Sequence, residues 1–224
     1  MMIPSCWHSG ASALNILSKF KLIFWDFDGV IKESVDIKSQ AYQQLFQHFG
    51  TEFTKRVLEH HETYGGVSRF TKIPLYLKWA GVEPSANIVN EYCERFSSIV
   101  TGAVIGAPYV PGVFDYIRAR YRDQHFVLLT ATPKEEIDYI LASLDLLHFF
   151  REVYGAPICK GDIIESVMKK HNLRPDCVLM VGDSETDFRA AESNAIAFLL
   201  RRTPINVGLQ SYYTGPTFDD LRYE

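Results

Sequence analysis

The fold is indicated by the segment Lys21-Leu-Ile-Phe-Trp-Asp-Phe-Asp-Gly-Val30. Its first half is a short, continuous apolar run, which is typical of a strand buried on both faces of a sheet. The run ends abruptly in two aspartates and a glycine, so we expect the chain to leave the sheet there in a tight turn. Asp26 and Asp28 are two residues apart on an extended segment, and their side chains can therefore point to the same side.

Other apolar runs end in a similar way. His125-Phe-Val-Leu-Leu-Thr130 is followed by a Thr-Pro segment, and Cys177-Val-Leu-Met-Val181 is followed by Gly-Asp-Ser. Weaker strands are predicted at residues 152–154 and 195–200, and amphipathic helical patterns lie between the runs. This alternation predicts an α/β fold whose core is a Rossmann-like parallel sheet with helices on both faces.

One long stretch, residues 34–106, breaks the alternation. Its patterns are helical, most clearly over Val35–Phe49, with further helices predicted at Ser68–Trp79 and Ser85–Val100, and no strand pair is evident. We therefore predict an α-helical insertion at residues 34–106. Residues 1–33 and 107–224 would form the core, and the first dozen of them are expected to be a loose tail.

Composition excludes several classes of protein. The chain is 47% hydrophobic, which favours a packed globular protein, and its net charge of −4 without a basic run makes nucleic acid an unexpected partner. No apolar run approaches the roughly 18 residues of a membrane helix, and the start does not resemble a secretory signal. The four cysteines lack the close spacing of a zinc or redox site. We expect a cytoplasmic protein, monomer or homodimer, with reduced thiols.

Polar side chains follow the three main strands where each strand ends. The strand ends carry Asp26 and Asp28, Thr130, and Asp183, and Lys160 lies shortly before the third strand. In open parallel sheets, ligands bind beyond the carboxyl ends of the strands, so these groups can meet at one edge. Close carboxylates repel each other, and a hard dication such as Mg²⁺ relieves that repulsion. Carboxylates, a hydroxyl and an ammonium group with Mg²⁺ suit an anionic phosphoryl group.

Each feature taken alone also has a simpler interpretation. A calcium-binding loop is excluded, because the twelfth position counted from Asp26 is Ile37 instead of a glutamate. Ser184 and Asp187 have the spacing of a helix N-terminal cap, and a lone lysine such as Lys160 is usually a solvated surface residue. The segment from Thr132 to Glu135 is typical of a capped helix start, so Thr132 is predicted to cap the next helix.

The order of these motifs resembles that of the haloacid dehalogenase superfamily of phosphotransferases. Four motifs match in sequence, namely Asp26-Phe-Asp-Gly29, Thr130, Lys160 and Gly182-Asp-Ser-Glu-Thr-Asp187. The helical insertion resembles the cap of the phosphoglycolate phosphatase and β-phosphoglucomutase branch, and Gly66-Val-Ser-Arg69 resembles a substrate-contacting loop of those caps. The chain differs after the first motif, where it has Glu33-Ser34 instead of the Asp-Ser or Asp-Thr of many members.

The resemblance implies a role for each matching residue. Asp26 would be the nucleophile that forms an aspartyl-phosphate, and Asp28 would act first as general acid and then as general base. Mg²⁺ would be held by Asp26, the backbone carbonyl of Asp28 and Asp183, with Asp187 alongside or in the second shell. Thr130 and Lys160 would complete the catalytic set by steadying the phosphoryl oxygens and the charge of the nucleophile. The implied substrate-binding residues are Thr130, Ala131, Lys160 and Arg69.

The implied function is a Mg²⁺-dependent phosphatase acting on a small phosphorylated metabolite such as a sugar phosphate. A phosphomutase is the main alternative, since the Gly66–Arg69 loop permits it. A hydrolytic dehalogenase would not need Asp28, and a binding module without turnover would not need the full catalytic set. Arg69 can hold a second phosphate or a carboxylate with two hydrogen bonds, or can be a solvated residue at a helix start.

Overall fold

The computed structural model describes residues 12–222, which contain a parallel six-stranded sheet. Its strands are β1 Leu22–Trp25, β2 His125–Pro133, β3 Glu152–Ala156, β4 Val178–Gly182, β5 Ala197–Arg201 and β6 Thr217–Phe218. They lie in the order β3-β2-β1-β4-β5-β6, and each neighbouring pair is parallel. The tail expected over the first dozen residues lies outside the described residues, except for Ser12.

Helices account for most of the remaining described residues. They are α1 Ala13–Leu17, α2 Val35–Phe46, α3 Thr51–Thr63, α4 Arg69–Trp79, α5 Ala86–Gly106, α6 Val113–Arg120, α7 Lys134–Ser143, α8 Lys160–Lys170, α9 Glu185–Ser193 and α10 Val207–Gln210. None of these helices, within residues 12–222, combines the length and the hydrophobicity that crossing a bilayer requires.

The sheet is buried on both faces, as its continuous apolar strands predict. Successive side chains of a strand point to opposite faces, so Ile23 and Trp25 of β1 enter one hydrophobic cluster and Leu22 and Phe24 enter the other. The second cluster also contains Ile164 and other side chains of α8 and α9. The predicted α/β architecture with helices on both faces is confirmed.

The α-helices of the predicted insertion at residues 34–106 are α2 to α5, and no strand lies among them in the described part of the chain. We call these the inserted helices. The last of them continues past its predicted end at Val100 to Gly106. Their buried aromatic side chains, such as Phe46 and Tyr76, belong to the same hydrophobic cluster as Trp25 of the sheet. The division into a core and a separate cap domain at residues 34–106 stays a prediction.

The helix start predicted at Thr132 is wrong. Strand β2 continues to Pro133, whose backbone pairs with Ala156 of β3, and α7 begins only at Lys134. Thr132 therefore lies within the strand, and the residue that precedes α7 is Pro133, with no side-chain hydrogen bond capping the helix. The Thr132 side chain instead donates a hydrogen bond of 3.0 Å to Asp28, at the carboxyl edge of the sheet.

Candidate active site

Three carboxylates meet at the carboxyl edge of the sheet. Asp26 directly follows β1, Asp183 directly follows β4, and Asp187 lies in the first turn of α9. One carboxylate oxygen from each lies within 4.8 Å of those of the other two, and all three residues are buried. The pairing of β1 with β4 brings Asp26 and Asp183 together, because Trp25, the last residue of β1, lies opposite Val181, the last but one of β4.

A glycine allows this close approach. Gly29 has a φ of +74°, in the left-handed region that side chains with a Cβ avoid. A Cβ at this position would lie 2.2 Å from Oδ2 of Asp183. Any other residue at position 29 would therefore push the first and fourth motifs apart.

Lys160 is the cation that contacts the carboxylate cluster from the first turn of α8. Its Nζ lies 3.2 Å from Oδ1 of Asp26 and 2.6 Å from Oδ1 of Asp187. Burial lowers the pKa of Lys160, but attraction by Asp187 and Asp26 outweighs burial, and the net shift is upward. Lys160 is thus a buried, charged group beside the predicted nucleophile, and not a solvated lysine.

Asp187 also has the capping role that its spacing from Ser184 predicts. Its Oδ2 accepts hydrogen bonds of 3.1 Å from the Ser184 backbone N–H and 2.5 Å from the Ser184 hydroxyl. Its Oδ1 faces Lys160. The structural and the functional interpretations of this motif are therefore compatible, because the two oxygens of one carboxylate serve different partners.

Asp28 lies in a hydrogen-bond network of its own. Its carboxylate accepts hydrogen bonds from Ser34 at 2.6 Å, from Thr132 at 3.0 Å, and from Lys38. Burial raises the pKa of Asp28, but the nearby Lys38 ammonium and these hydrogen bonds outweigh burial, and the net shift is downward. Sequence reasoning missed Lys38, although it follows Ser34 by one helical turn and so lies on the same helix face.

The charges at this edge do not balance. Four buried or partly buried carboxylates lie here, those of Asp26, Asp28, Asp183 and Asp187, but only two ammonium groups pair with them. Lys160 pairs with Asp26 and Asp187, and Lys38 pairs with Asp28. Burial raises the pKa of Asp26 to about 7 despite the opposing effect of Lys160, and burial with repulsion by Asp26 raises that of Asp183 well above its usual value. A dication bound by these hard oxygen donors would offset both the burial of the carboxylates and their mutual repulsion, so the residues fit a divalent metal.

A cavity of about 630 Å³ opens over these groups. The core side contributes Asp26, Asp28, Thr130, Ala131 and Asp183, and the inserted helices and the loop after α3 contribute Lys38, His61, Tyr64 and Gly66. A Cβ on Gly66 would lie 1.8 Å from Oγ1 of Thr186 and 2.3 Å from Oγ of Ser184, so this loop packs directly on the start of α9. The inserted helices therefore roof the site.

Arg69 lies beside the large cavity, in a small pocket that it shares with Lys38 and His61. It is buried, and its guanidinium donates two hydrogen bonds, of 2.8 and 2.7 Å, to the carboxylate of Glu136 on α7 and one of 2.6 Å to Ser97 on α5. Arg69 does not line the large cavity. The interpretation as a solvated residue is wrong, because the ion pair buries it. Its role as a substrate ligand stays a prediction, which the pairing with Glu136 does not favour.

Comparison with known proteins identifies the family. The sequence-family model of haloacid dehalogenase-like hydrolases matches residues 23–200, which include all four motifs. The chain belongs to this family. This match confirms the family that the order of the motifs predicts, and with it the prediction that the protein is a hydrolase.

Several relatives show which branch of the family this hydrolase resembles. It is 26% identical over 190 residues to phosphoglycolate phosphatase of Pectobacterium atrosepticum, covering 79% of this chain and 78% of the relative. A predicted phosphoglycolate phosphatase from Haemophilus somnus has the same fold, with a TM-score of 0.68, 21% identity and coverage of 91% of this chain and 95% of that one. β-Phosphoglucomutase from Clostridium difficile gives a TM-score of 0.71 at 17% identity, covering 90% and 92%.

In this haloacid dehalogenase-like hydrolase, Asp183→Asn is expected to abolish most of the stabilisation by a divalent cation. A ligand that binds only the folded state at about 100 times its Kd stabilises by about 2.7 kcal/mol, and the amide removes one charged oxygen ligand. Thermal unfolding with Mg²⁺ and with chelator measures the effect. The matched control is Asp115→Asn, on the exposed face of α6. An equal Mg²⁺-induced shift in the Tm of Asp183→Asn and wild type would contradict the metal site.

Proposed function

We propose that this hydrolase is a Mg²⁺-dependent phosphomonoesterase that acts on a small phosphorylated metabolite through an aspartyl-phosphate at Asp26. The observation that carries the proposal is the position of Asp26, buried between the Lys160 ammonium and the other acidic groups at the floor of a roofed cavity. An anionic nucleophile can approach an anionic ester only where cations offset the charge. The similarity to a curated phosphoglycolate phosphatase supports phosphate-ester chemistry.

Two displacements account for hydrolysis. In the first, an oxygen of Asp26 attacks phosphorus, the ester P–O bond breaks, and Asp28 donates a proton to the leaving oxygen. In the second, water attacks phosphorus, Asp28 accepts its proton, and the bond to Asp26 breaks to release inorganic phosphate. Bound Mg²⁺, held by Asp26, Asp183 and the backbone carbonyl of Asp28, would screen the charge between nucleophile and phosphoryl oxygens.

The surroundings of Asp28 suit both halves of this cycle. Hydrogen bonds from Ser34, Thr132 and Lys38 favour the carboxylate, which is the form that accepts a proton from water. A phosphate dianion that enters the cavity repels this carboxylate and thus raises its pKa, which favours the protonated form needed first. Thr130 and Ala131 line the same cavity, where the Thr130 hydroxyl and the Ala131 backbone N–H can donate hydrogen bonds to the phosphoryl oxygens.

The inserted helices present a polar group to the rest of the substrate. His61 lines the cavity and is only 3% exposed. Its Nδ1 lies 2.9 Å from Nζ of Lys72, whereas its Nε2 has no hydrogen-bond partner among the described residues. A buried polar atom without a partner costs about 1–3 kcal/mol, so a substrate group that pairs with Nε2 gains affinity. A hydroxyl can donate or accept here, which favours a sugar phosphate.

Replacing His61 with phenylalanine is therefore expected to raise KM about 5- to 30-fold, with kcat changed less than about threefold, since Nε2 lies away from the bond that breaks. Steady-state kinetics with the best substrate measures both constants. His61→Gln, which keeps a terminal N–H, is the matched control and should retain most of the affinity. A KM for His61→Phe equal to that of wild type would contradict this contact.

The function is tested by incubating the protein with a panel of phosphorylated metabolites, with Mg²⁺ or with chelator. We expect inorganic phosphate to be released in the presence of Mg²⁺ and not with chelator. Formation of an isomeric phosphate ester without phosphate release would instead indicate a mutase. Chloride release from a 2-haloacid that chelator does not affect would indicate a dehalogenase.

A further inference from the structure

A second group of metal-binding side chains lies at the opposite edge of the sheet. His125 begins β2, Glu152 begins β3, and His171 directly follows α8. One possible ligand atom from each lies within 4.8 Å of those of the other two. His125 and Thr130 are five residues apart on β2, about 16 Å at 3.3 Å per residue, so this group is separate from the active site.

The distances within this group approach those of a metal site. Oε1 of Glu152 lies 2.7 Å from Nε2 of His171 and 3.7 Å from Nε2 of His125. Ligand atoms around a tetrahedral Zn²⁺, with bonds of about 2.1 Å, are about 3.4 Å apart. Nε2 of His125 is also buried without a hydrogen-bond partner among the described residues. Small side-chain rotations would therefore place three donors around one ion and give this nitrogen a partner.

We propose that His125, Glu152 and His171 form a binding site for a borderline divalent transition-metal ion of the Zn²⁺ type. Imidazole nitrogens favour zinc and its neighbours, whereas Mg²⁺ requires an all-oxygen environment such as the carboxylate cluster of the active site. Two imidazoles and one carboxylate leave a coordination position for water. The ion would join the starts of two neighbouring strands to the end of a helix.

Neighbouring side chains orient the carboxylate for this role. Oε2 of Glu152 accepts hydrogen bonds from the hydroxyl of Tyr154 at 2.6 Å and from Nζ of Lys170 at 2.8 Å, which leaves Oε1 to face both imidazoles. Burial raises the pKa of Glu152, but hydrogen bonds from Lys170, Tyr154 and His171 outweigh burial and lower it to about 2, so the carboxylate is ionised.

Two features of the site oppose a cation and must be overcome. The hydrogen that His171 shares with Glu152 has to move to Nδ1 or to solvent before Nε2 can bind an ion. The Lys170 ammonium also repels a cation, although it does not occupy the face shared by the imidazoles. Removing that charge with Lys170→Met should therefore tighten binding, because the Tyr154 hydroxyl still holds Oε2 of Glu152 in place.

Calorimetric titration of the full chain with Zn²⁺, in excess Mg²⁺ to occupy the active site, tests the proposal. We expect one bound Zn²⁺ per chain, at least 10-fold weaker binding in His171→Ala and in His125→Asn, and unchanged binding in His148→Ala, a half-exposed histidine outside the site. Zn²⁺ should raise the Tm of wild type and not that of His171→Ala. Turnover of a phosphate ester with Mg²⁺ should be unchanged in His171→Ala.

Two results would overturn the proposal. One is a Kd of wild type for Zn²⁺ above about 1 mM, which corresponds to a binding free energy weaker than about 4 kcal/mol. The other is equal binding by wild type and both histidine variants together with loss of binding in Cys159→Ser, which would place the ion at that exposed thiol. Far-ultraviolet circular dichroism of each variant without metal distinguishes a lost ligand from a lost fold.

Discussion

Asp26→Asn is expected to lower kcat by more than about 10³-fold while the protein stays folded. The amide has nearly the shape of the carboxylate but is not nucleophilic enough to attack phosphorus, so no aspartyl-phosphate can form. Phosphate release with saturating Mg²⁺ measures the loss, and circular dichroism measures the fold. Unchanged turnover in a folded Asp26→Asn variant would refute the mechanism.

The same substitution has a pH signature in the metal-free protein. Burial raises the pKa of Asp26 to about 7 in the folded state. A group with a raised folded-state pKa contributes its full stability below its unfolded-state pKa of about 4 and loses that contribution as the pH rises through about 7. Asparagine does not titrate, so the Tm of Asp26→Asn relative to wild type should rise across this window. Asp115→Asn, on the exposed surface of α6, should show no such trend.

Arg69→Met is expected to destabilise the protein by about 3–5 kcal/mol, because it leaves the carboxylate of Glu136 buried without its partner. Both side chains of this ion pair are less than a tenth exposed. The pair joins α4 of the inserted helices to α7 beside the sheet, so its loss also weakens the contact that roofs the active site. Unfolding in denaturant measures the free-energy change.

The double variant Arg69→Met, Glu136→Leu is the matched control. Replacing both members of a buried ion pair with apolar side chains of similar volume is often neutral, so most of the lost stability should return. The double variant also tests the role of Arg69 in substrate binding. If it is stable and has the KM of wild type, Arg69 joins helices and does not bind substrate, whereas a raised KM would support the substrate-contact prediction. A loss below about 1 kcal/mol in Arg69→Met would contradict the stabilising role.

The errors of sequence reasoning have a common physical origin. Thr132 was predicted to cap a helix because Thr-Pro-Lys-Glu has the local chemistry of a helix start, but strand pairing with β3 extends β2 through it. The partner of Arg69 is 67 residues away in the chain, so no local pattern shows that the guanidinium is already paired. The helical spacing of Lys38 from Ser34 predicts only that the two side chains share a helix face. It indicates a partner for Asp28 only once Asp28 is known to face that helix.

Except for the short strand β6, local sequence patterns were sufficient to predict the strands, their parallel arrangement and the acidic groups at the strand ends. These depend on apolar runs and on residue types at fixed short spacing, which act over a few neighbouring residues. Which charge neutralises which depends on the packing of distant segments, which places Lys160 between Asp26 and Asp187, Lys38 on Asp28, and Arg69 on Glu136. Coulomb attraction depends on distance in space, and segments far apart in the chain acquire that distance only when the inserted helices pack on the sheet.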